Sequence, residues 1–178
     1  NDGCKWDEIN MVNSMKYPLA IDYNGSNWLI IDGSDSSILM SNNGKNWNTY
    51  DITGTDTNEK LKSITYNGTN WLIGSTHDLW YLNDSSLSQP SINSLLDISL
   101  VNDIHSLGLL NLAITKQGLY QSNDTSGNEW LYINNDISYE NVNKICYNGI
   151  RWVIGGINIL KYSNDISNVV WKDCNMEE

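Results

Sequence analysis

Ser41-Asn42-Asn43-Gly44-Lys45-Asn46-Trp47 decides the fold. Asn42 and Asn43 carry amides that hydrogen-bond nearby backbone, and Gly44 tolerates a positive φ, so the stretch reads as a tight turn between two strands. Trp47 then returns a large ring to the core as the next strand begins. The turn recurs. Asn1-Asp2-Gly3-Cys4-Lys5-Trp6 is a copy cut off at its front, and Ser122-Asn123-Asp124 through Trp130 is a copy with an insertion. Ser163-Asn164-Asp165 through Trp171 is another, and Leu82-Asn83-Asp84 to Pro90 is a decayed copy without the Trp. Anchored on Trp6, Trp47, Pro90, Trp130 and Trp171, the intervals are 41, 43, 40 and 41 residues.

A second motif keeps the same phase. Tyr23-Asn24-Gly25-Ser26-Asn27-Trp28 recurs as Tyr66-Asn67-Gly68-Thr69-Asn70-Trp71 and as Tyr147-Asn148-Gly149-Ile150-Arg151-Trp152, with a degraded copy from Leu107 to Leu112. Asn-Gly between two β-rich runs is a strong hairpin signal. Two motifs in one phase mark a tandem repeat.

Each repeat holds four short β-rich runs about ten residues apart, with no sustained 3.6-residue apolar stripe, which points to an all-β architecture. In the order A, B, C and D, the first repeat reads as Pro18–Tyr23, Trp28–Asp32, Ile38–Ser41 and Trp47–Ile52. Only Ser91–Leu100 is ambiguous, since its clustered Leu residues also suit a helical turn. Four antiparallel strands per ~41-residue unit fit the blades of a β-propeller. The expectation is a single domain over 1–178 with repeats at about 15–52, 61–98, 103–133 and 142–174. Residues 1–11 add a stray outer strand that completes or overlays the last blade. A compact four-bladed ring is the favoured arrangement and one part of a larger propeller the alternative; a self-completing homo-oligomer is the alternative to a monomer.

Composition narrows the function. The net charge of −11 argues against nucleic acid, which clustered Lys and Arg bind. No apolar run approaches the ~18 residues that read as a membrane-spanning helix. Eight Trp and ten Tyr supply the burial that 40% apolar residues would otherwise leave thin. Three cysteines make no disulfide framework. Cys146 reads as a buried thiol, and Cys4 and Cys174 form a bridge only if the chain ends meet. Because the chain begins inside a motif, it reads as a cleaved or excised product, and the setting it leans toward is extracellular or virion-associated.

The turn resembles the Asp-box, or BNR, repeat of β-propellers, Ser-x-Asp/Asn-Gly-x-x-Trp between the third and fourth strands. Ser41, Asn43, Gly44 and Trp47 match best; Asp2, Gly3 and Trp6 match in the truncated copy. Ser122, Asp124 and Trp130 match with Gly127 displaced, and Ser163, Asp165 and Trp171 match with Ile166 in place of the Gly. The Tyr-Asn-Gly-x-x-Trp hairpin resembles a subgroup found in repeat proteins of bacteria and large viruses. The resemblance spans the whole chain and implies a propeller; the box itself is a structural turn in that family.

Sialidases carry this box, and the resemblance implies three arginines clamping a carboxylate, a task for paired guanidinium groups. This chain has only Arg151. Other glycosidases need two carboxylates about 5–10 Å apart; the acidic pairs here, such as Asp32 with Asp35 or Asp51 with Asp56, have no distinctive spacing. His77 and His105 are too far apart in sequence to form a metal motif, and register places His105 at the position of Ile21, Ile64 and Ile145. Asp32-Gly33-Ser34-Asp35 and Asn123-Asp124 miss the EF-hand spacing. No cofactor, metal or catalytic residue is therefore expected.

Aromatics are the better lead to a ligand. Trp80 aligns with Leu39, Tyr120 and Lys161; a position that accepts Lys reads as solvent-facing, and an exposed Trp stacks on sugars or anchors proteins, while the alternative for Trp80 is partial burial between blades. Connectivity puts the A–B and C–D turns on one rim and the variable B–C and D–A loops on the other. Variable loops on a rigid scaffold are where binding concentrates. The candidate binding residues are Trp80, Asp32, Asp35, His77, Asp78 and Lys116. The favoured function is a non-catalytic module that recognises a protein partner; a lectin-like module and a degenerate glycosidase are the alternatives.

Overall fold

The computed structural model describes residues 8–9, 15–34, 36–52, 59–83, 92–96, 100–124, 129–133, 137–165 and 170–175. The strands form four antiparallel four-stranded sheets, each in chain order. Blade 1 comprises β1 (Pro18–Tyr23), β2 (Trp28–Asp32), β3 (Ser37–Ser41) and β4 (Asn48–Asp51). Blade 2 comprises β5 (Leu61–Tyr66), β6 (Asn70–Ser75), β7 (Leu79–Asn83) and β8 (Ile92–Leu96). Blade 3 comprises β9 (Val101–Leu107), β10 (Leu110–Thr115), β11 (Leu119–Ser122) and β12 (Leu131–Ile133). Blade 4 comprises β13 (Val142–Tyr147), β14 (Trp152–Gly156), β15 (Ile159–Ser163) and β16 (Lys172–Asp173). The fold is a four-bladed β-propeller. Within the ambiguous segment Ile92–Leu96 forms strand β8, paired along β7.

Side-chain amides make the A–B turns of blades 1, 2 and 4. Asn24 Oδ1 accepts from the N–H groups of Ser26 (2.9 Å) and Asn27 (2.7 Å). Asn67 Oδ1 does the same for Thr69 and Asn70, and Asn148 Oδ1 for Ile150 and Arg151. Gly25, Gly68 and Gly149 follow with φ of 95°, 95° and 94°, where a Cβ is unfavourable. In the Ser41 turn, Ser41 Oγ accepts from Gly44 N at 2.9 Å, and Asn43 Oδ1 accepts from Lys45 N and Asn46 N, both at 2.9 Å.

A blade has two apolar faces, here called front (toward the preceding blade) and back. The back of blade 1 (Leu29, Ile31, Ile38) meets the front of blade 2 (Ile64, Trp71, Ile73, Trp80). The back of blade 2 (Leu72, Leu79) meets the front of blade 3 (Val101, Ile104, Ala113). The back of blade 3 (Leu112, Ile114, Leu119) meets the front of blade 4 (Val142, Ile145, Trp152, Ile154). The inner strands accordingly pack β1 on β5, β5 on β9 and β9 on β13, and among the described residues no comparable packing carries the series from β13 back to β1.

Three sequence expectations need correction. Ile104, not His105, occupies the position of Ile21, Ile64 and Ile145: it pairs with Ala113 where they pair with Ile30, Ile73 and Ile154. The hairpin of blade 3 has only Gly108 and Leu109 between paired Leu107 and Leu110, so aligning its tip on the four-residue turns shifts the register by one. Cys146 is exposed, because it lies on the back of blade 4, which no blade among the described residues covers. The anchors Trp47, Trp130 and Trp171 are half-buried rather than fully buried, with Trp130 and Trp171 packed against the edge of the core; Trp171 Nε1 donates to Tyr139 Oη at 2.8 Å. Asp2, Gly3, Cys4, Trp6, Asp35 and nearly all of the 1–11 strand lie outside the described residues.

Candidate functional site

The rim that carries the B–C turns is built on one recurring bond. Gly33, Thr76, Lys116 and Ile157 each donate a backbone N–H to the carbonyl of the residue just before strand A of their blade, Tyr17, Lys60, Leu100 and Asn141, at 2.8, 3.0, 3.2 and 2.9 Å. The preceding residues, Asp32, Ser75, Thr115 and Gly156, share one register, pairing with Pro18, Leu61, Val101 and Val142. Three of these four cap their own turn. Asp32 Oδ1 accepts from Ser34 N and Oγ, Ser75 Oγ from Asp78 N, and Thr115 Oγ1 from Gln117 N and Gly118 N. Blade 4 closes the turn with Gly156 instead, where an added Cβ would sit 1.8 Å from the Asn141 carbonyl oxygen.

Asp32 is therefore a structural carboxylate. It is 2% exposed and also accepts from Lys16 N at 2.8 Å and Tyr17 N at 3.3 Å. Burial pushes its pKa up, but the hydrogen bonds from Ser34, Lys16 and Tyr17 outweigh that and hold it below the ordinary value. A partner on the surface has little of this group to meet.

Blade 2 adds a device that sequence reasoning missed. Glu59, from the segment joining blades 1 and 2, is buried and accepts from Ser75 Oγ, from His77 N at 2.9 Å and from Thr76 Oγ1 at 3.4 Å. Its other oxygen lies 3.1 Å from His77 Nδ1, while the His77 side chain is 64% exposed. Leu100 N donates to Thr76 O at 2.9 Å, and Leu100 O accepts from Lys116 N, so the turns of blades 2 and 3 are stitched side by side. The structure thus brings His77, Asp78 and Lys116 onto one stretch of rim, with His77 and Lys116 exposed and Asp78 half-buried.

Trp80 does not join them. It is 3% exposed and packs with Leu29, Ile31 and Trp71 between blades 1 and 2. The equivalent Lys161 keeps its stem in the sheet, with a side chain only 20% exposed, and sends its ammonium to Asp173. A position can accept Lys without facing water.

The four inner strands line a cavity of about 500 Å³ whose lining includes Asp22, Tyr23, Tyr66, Asp103, His105 and Lys144. Asp22 Oδ2 accepts from Tyr66 N at 2.7 Å in the next blade. Asp103 accepts from Ile145 N at 3.0 Å and Lys144 Nζ at 2.9 Å, also in the next blade. These carboxylates cap inner-strand edges across blade boundaries. Burial raises the Asp103 pKa against those bonds, and burial lowers that of His105 against the pull of Asp103 and Asp22. His105 also stands edge-on to Trp152, 5.5 Å between centroids. The sequence signal for Asp103 is a charge at the inner-strand register of Ala20 and Ser63, legible only once the blade 3 register is right. For Glu59, in a loop without a repeat, there was none. Among the described residues no group of three His, Cys, Asp or Glu is placed to hold a metal ion, and no helix is long and apolar enough to cross a membrane.

No protein-family model matches this chain, and no curated protein sequence matches it. Solved structures do share its fold. YCF48 bound to D1 peptide superposes with a TM-score of 0.73 at 13% identity, over 93% of this chain and 57% of that one. The computationally designed Ika4 protein gives 0.64 at 9% identity, over 90% of this chain and 98% of that one. A chain of the Mitotic Checkpoint Complex gives 0.60 at 11% identity, over 86% of this chain and 48% of that one. At these identities the likeness is one of fold. The chain spans about half the length of the first and third.

Proposed function

We propose that this chain is a non-catalytic recognition module that binds a peptide or protein segment on the B–C rim. One observation carries the reading: four turns share a backbone anchor yet present different tips. Ser34, His77, Gln117 and Asn158 stand at one position, Thr76, Lys116 and Ile157 at the one before it, and of these His77, Lys116, Gln117, Ile157 and Asn158 are exposed. Fixed turns with varied, exposed tips give a partner both a pre-ordered surface and a distinctive one. The peptide held by YCF48 and the assembly that gives the checkpoint complex its name belong to those proteins, and they make the same use of a propeller reasonable here.

A non-enzymatic role draws support from chemistry already committed elsewhere. Asp22, Asp32, Glu59 and Asp103 hold backbone or hydroxyl donors, and the lone Arg151 lies over Tyr162, 5.0 Å from its ring centroid. The lectin-like alternative loses its stacking ring with the burial of Trp80 and rests on loop carboxylates and amides. We take the repeat to be of the Asp-box type, supported by the bonds of Ser41 and Asn43 across their turn and by the bond from Asp165 N to Ser163 Oγ.

Selection of displayed peptides on the immobilised protein tests this reading, with a glycan array in parallel. The expected peptides lose at least tenfold affinity, about 1.4 kcal/mol, on Lys116→Glu with Ile157→Asp, and keep it on Ser26→Asp at the opposite rim. Peptides indifferent to the rim pair sink the proposal, and glycan binding without peptide binding transfers it to the lectin-like reading.

A further inference from the structure

Ile21, Ile64, Ile104 and Ile145 hold one position on the front faces of the four blades. Ile64, Ile104 and Ile145 are 6%, 4% and 4% exposed, each covered by the back of the preceding blade; Ile21 is 54% exposed. Trp28 repeats the pattern: its equivalents Trp71 and Trp152 are buried, and it is half-buried. The opening is at the inner half of the face, since Leu39, farther out, is 3% exposed.

The back of blade 4 shows the complementary lack. Leu160 holds the position of Ile38, Leu79 and Leu119, which are 1%, 0% and 0% exposed under the following blade; Leu160 is 44% exposed. It opens onto a groove of about 490 Å³ shared with Gly156, Ile159 and Cys174. Gly155 tells the same story. Its equivalent Gly74 faces the next blade so closely that a Cβ would lie 2.5 Å from Val101, whereas a Cβ at Gly155 would meet only Leu160 of its own sheet, at 3.7 Å.

The chain therefore displays, at its two ends, the two halves of the interface it builds three times internally. We propose that a second copy of this chain docks head to tail on the first, the back of blade 4 in one copy seated on the front of blade 1 in the other, continuing the blade stack. Such a contact is heterologous, and it closes when the rotation allows. Each copy carries −11, so association strengthens as salt screens the repulsion.

Light scattering or native mass measurement over a wide concentration range at moderate salt tests this. The 178-residue chain is expected at two or more times 20.1 kDa. Ile21→Asp and Leu160→Asp, both at exposed positions, each break the closed assembly to single copies. Mixed in equal amounts they associate again, because each variant keeps the end that the other has lost. A wild-type monomer at every concentration overturns the proposal and leaves the ends to further blades or another partner. An assembly that survives both substitutions, or variants that fail to associate when mixed, also overturns it. Unchanged circular dichroism guards against misfolding, and the rim pair Lys116→Glu with Ile157→Asp leaves the mass unaltered.

Discussion

Oε2 of Glu59 lies 3.1 Å from Nδ1 of His77, and the Glu59 side chain is 4% exposed while that of His77 is 64% exposed. One carboxylate thus fastens the segment entering blade 2 to the turn that displays His77. Replacing Glu59 with Ala strips the acceptor from Ser75 Oγ, Thr76 Oγ1 and His77 N. Losing these bonds costs about 1–3 kcal/mol, so a fall in unfolding free energy of that order, read from urea denaturation, is expected. A midpoint equal to wild type would show that the carboxylate holds nothing.

Trp80 is a core residue in this account. Trp80→Ala should lower unfolding free energy by about 3–5 kcal/mol, the range for large buried aromatics, measured by chemical denaturation. A loss of under ~1 kcal/mol, the scale of ordinary surface changes, would return the ring to the surface and with it the sugar-stacking role.

Acid should loosen the fold in two stages. The His105 pKa is lowered by burial, so the unfolded chain takes up that proton first and stability falls as pH drops below the ordinary 6.5 toward the folded value. Asp103, raised by burial, acts in the opposite sense: its contribution appears as pH falls through its folded value and is lost again on the way up. The Asp32 pKa is lowered by its hydrogen bonds against burial, so its stabilisation is full above 3.8 and is lost as pH falls through the folded value. Asp32→Asn should be less stable than wild type at neutral pH and show a shallower fall below 3.8 in a pH series of thermal melts. Parallel curves for the two proteins would remove Asp32 from the acid response.

The turns and strands were legible because the residues that make them are local. Asn24, Asn67 and Asn148 each satisfy their own turn within three residues, and the recurring Trp28, Trp71 and Trp152 fix the phase. What the sequence hid are relations across blades. Trp80 is buried by blade 1, Glu59 acts on the turn of blade 2 through a loop that has no repeat, and Asp103 caps β13 some forty residues away. The one-residue error at His105 has the same origin: a two-residue hairpin in blade 3 replaces the longer turn, and only pairing with Leu112 reveals it. Asp32 looked like a ligand because a loop carboxylate is usually solvated; here two backbone N–H groups preceding β1 take it first.

The central claim is that differing tips ride on four identical, pre-ordered anchors. Amide hydrogen exchange of the free protein, read residue by residue by NMR, tests it most directly. Gly33, Thr76, Lys116 and Ile157 donate to Tyr17, Lys60, Leu100 and Asn141, and all four amides should exchange slowly, with protection close to that of the neighbouring strands. Exchange of these amides at the rate of an unstructured chain would contradict the account.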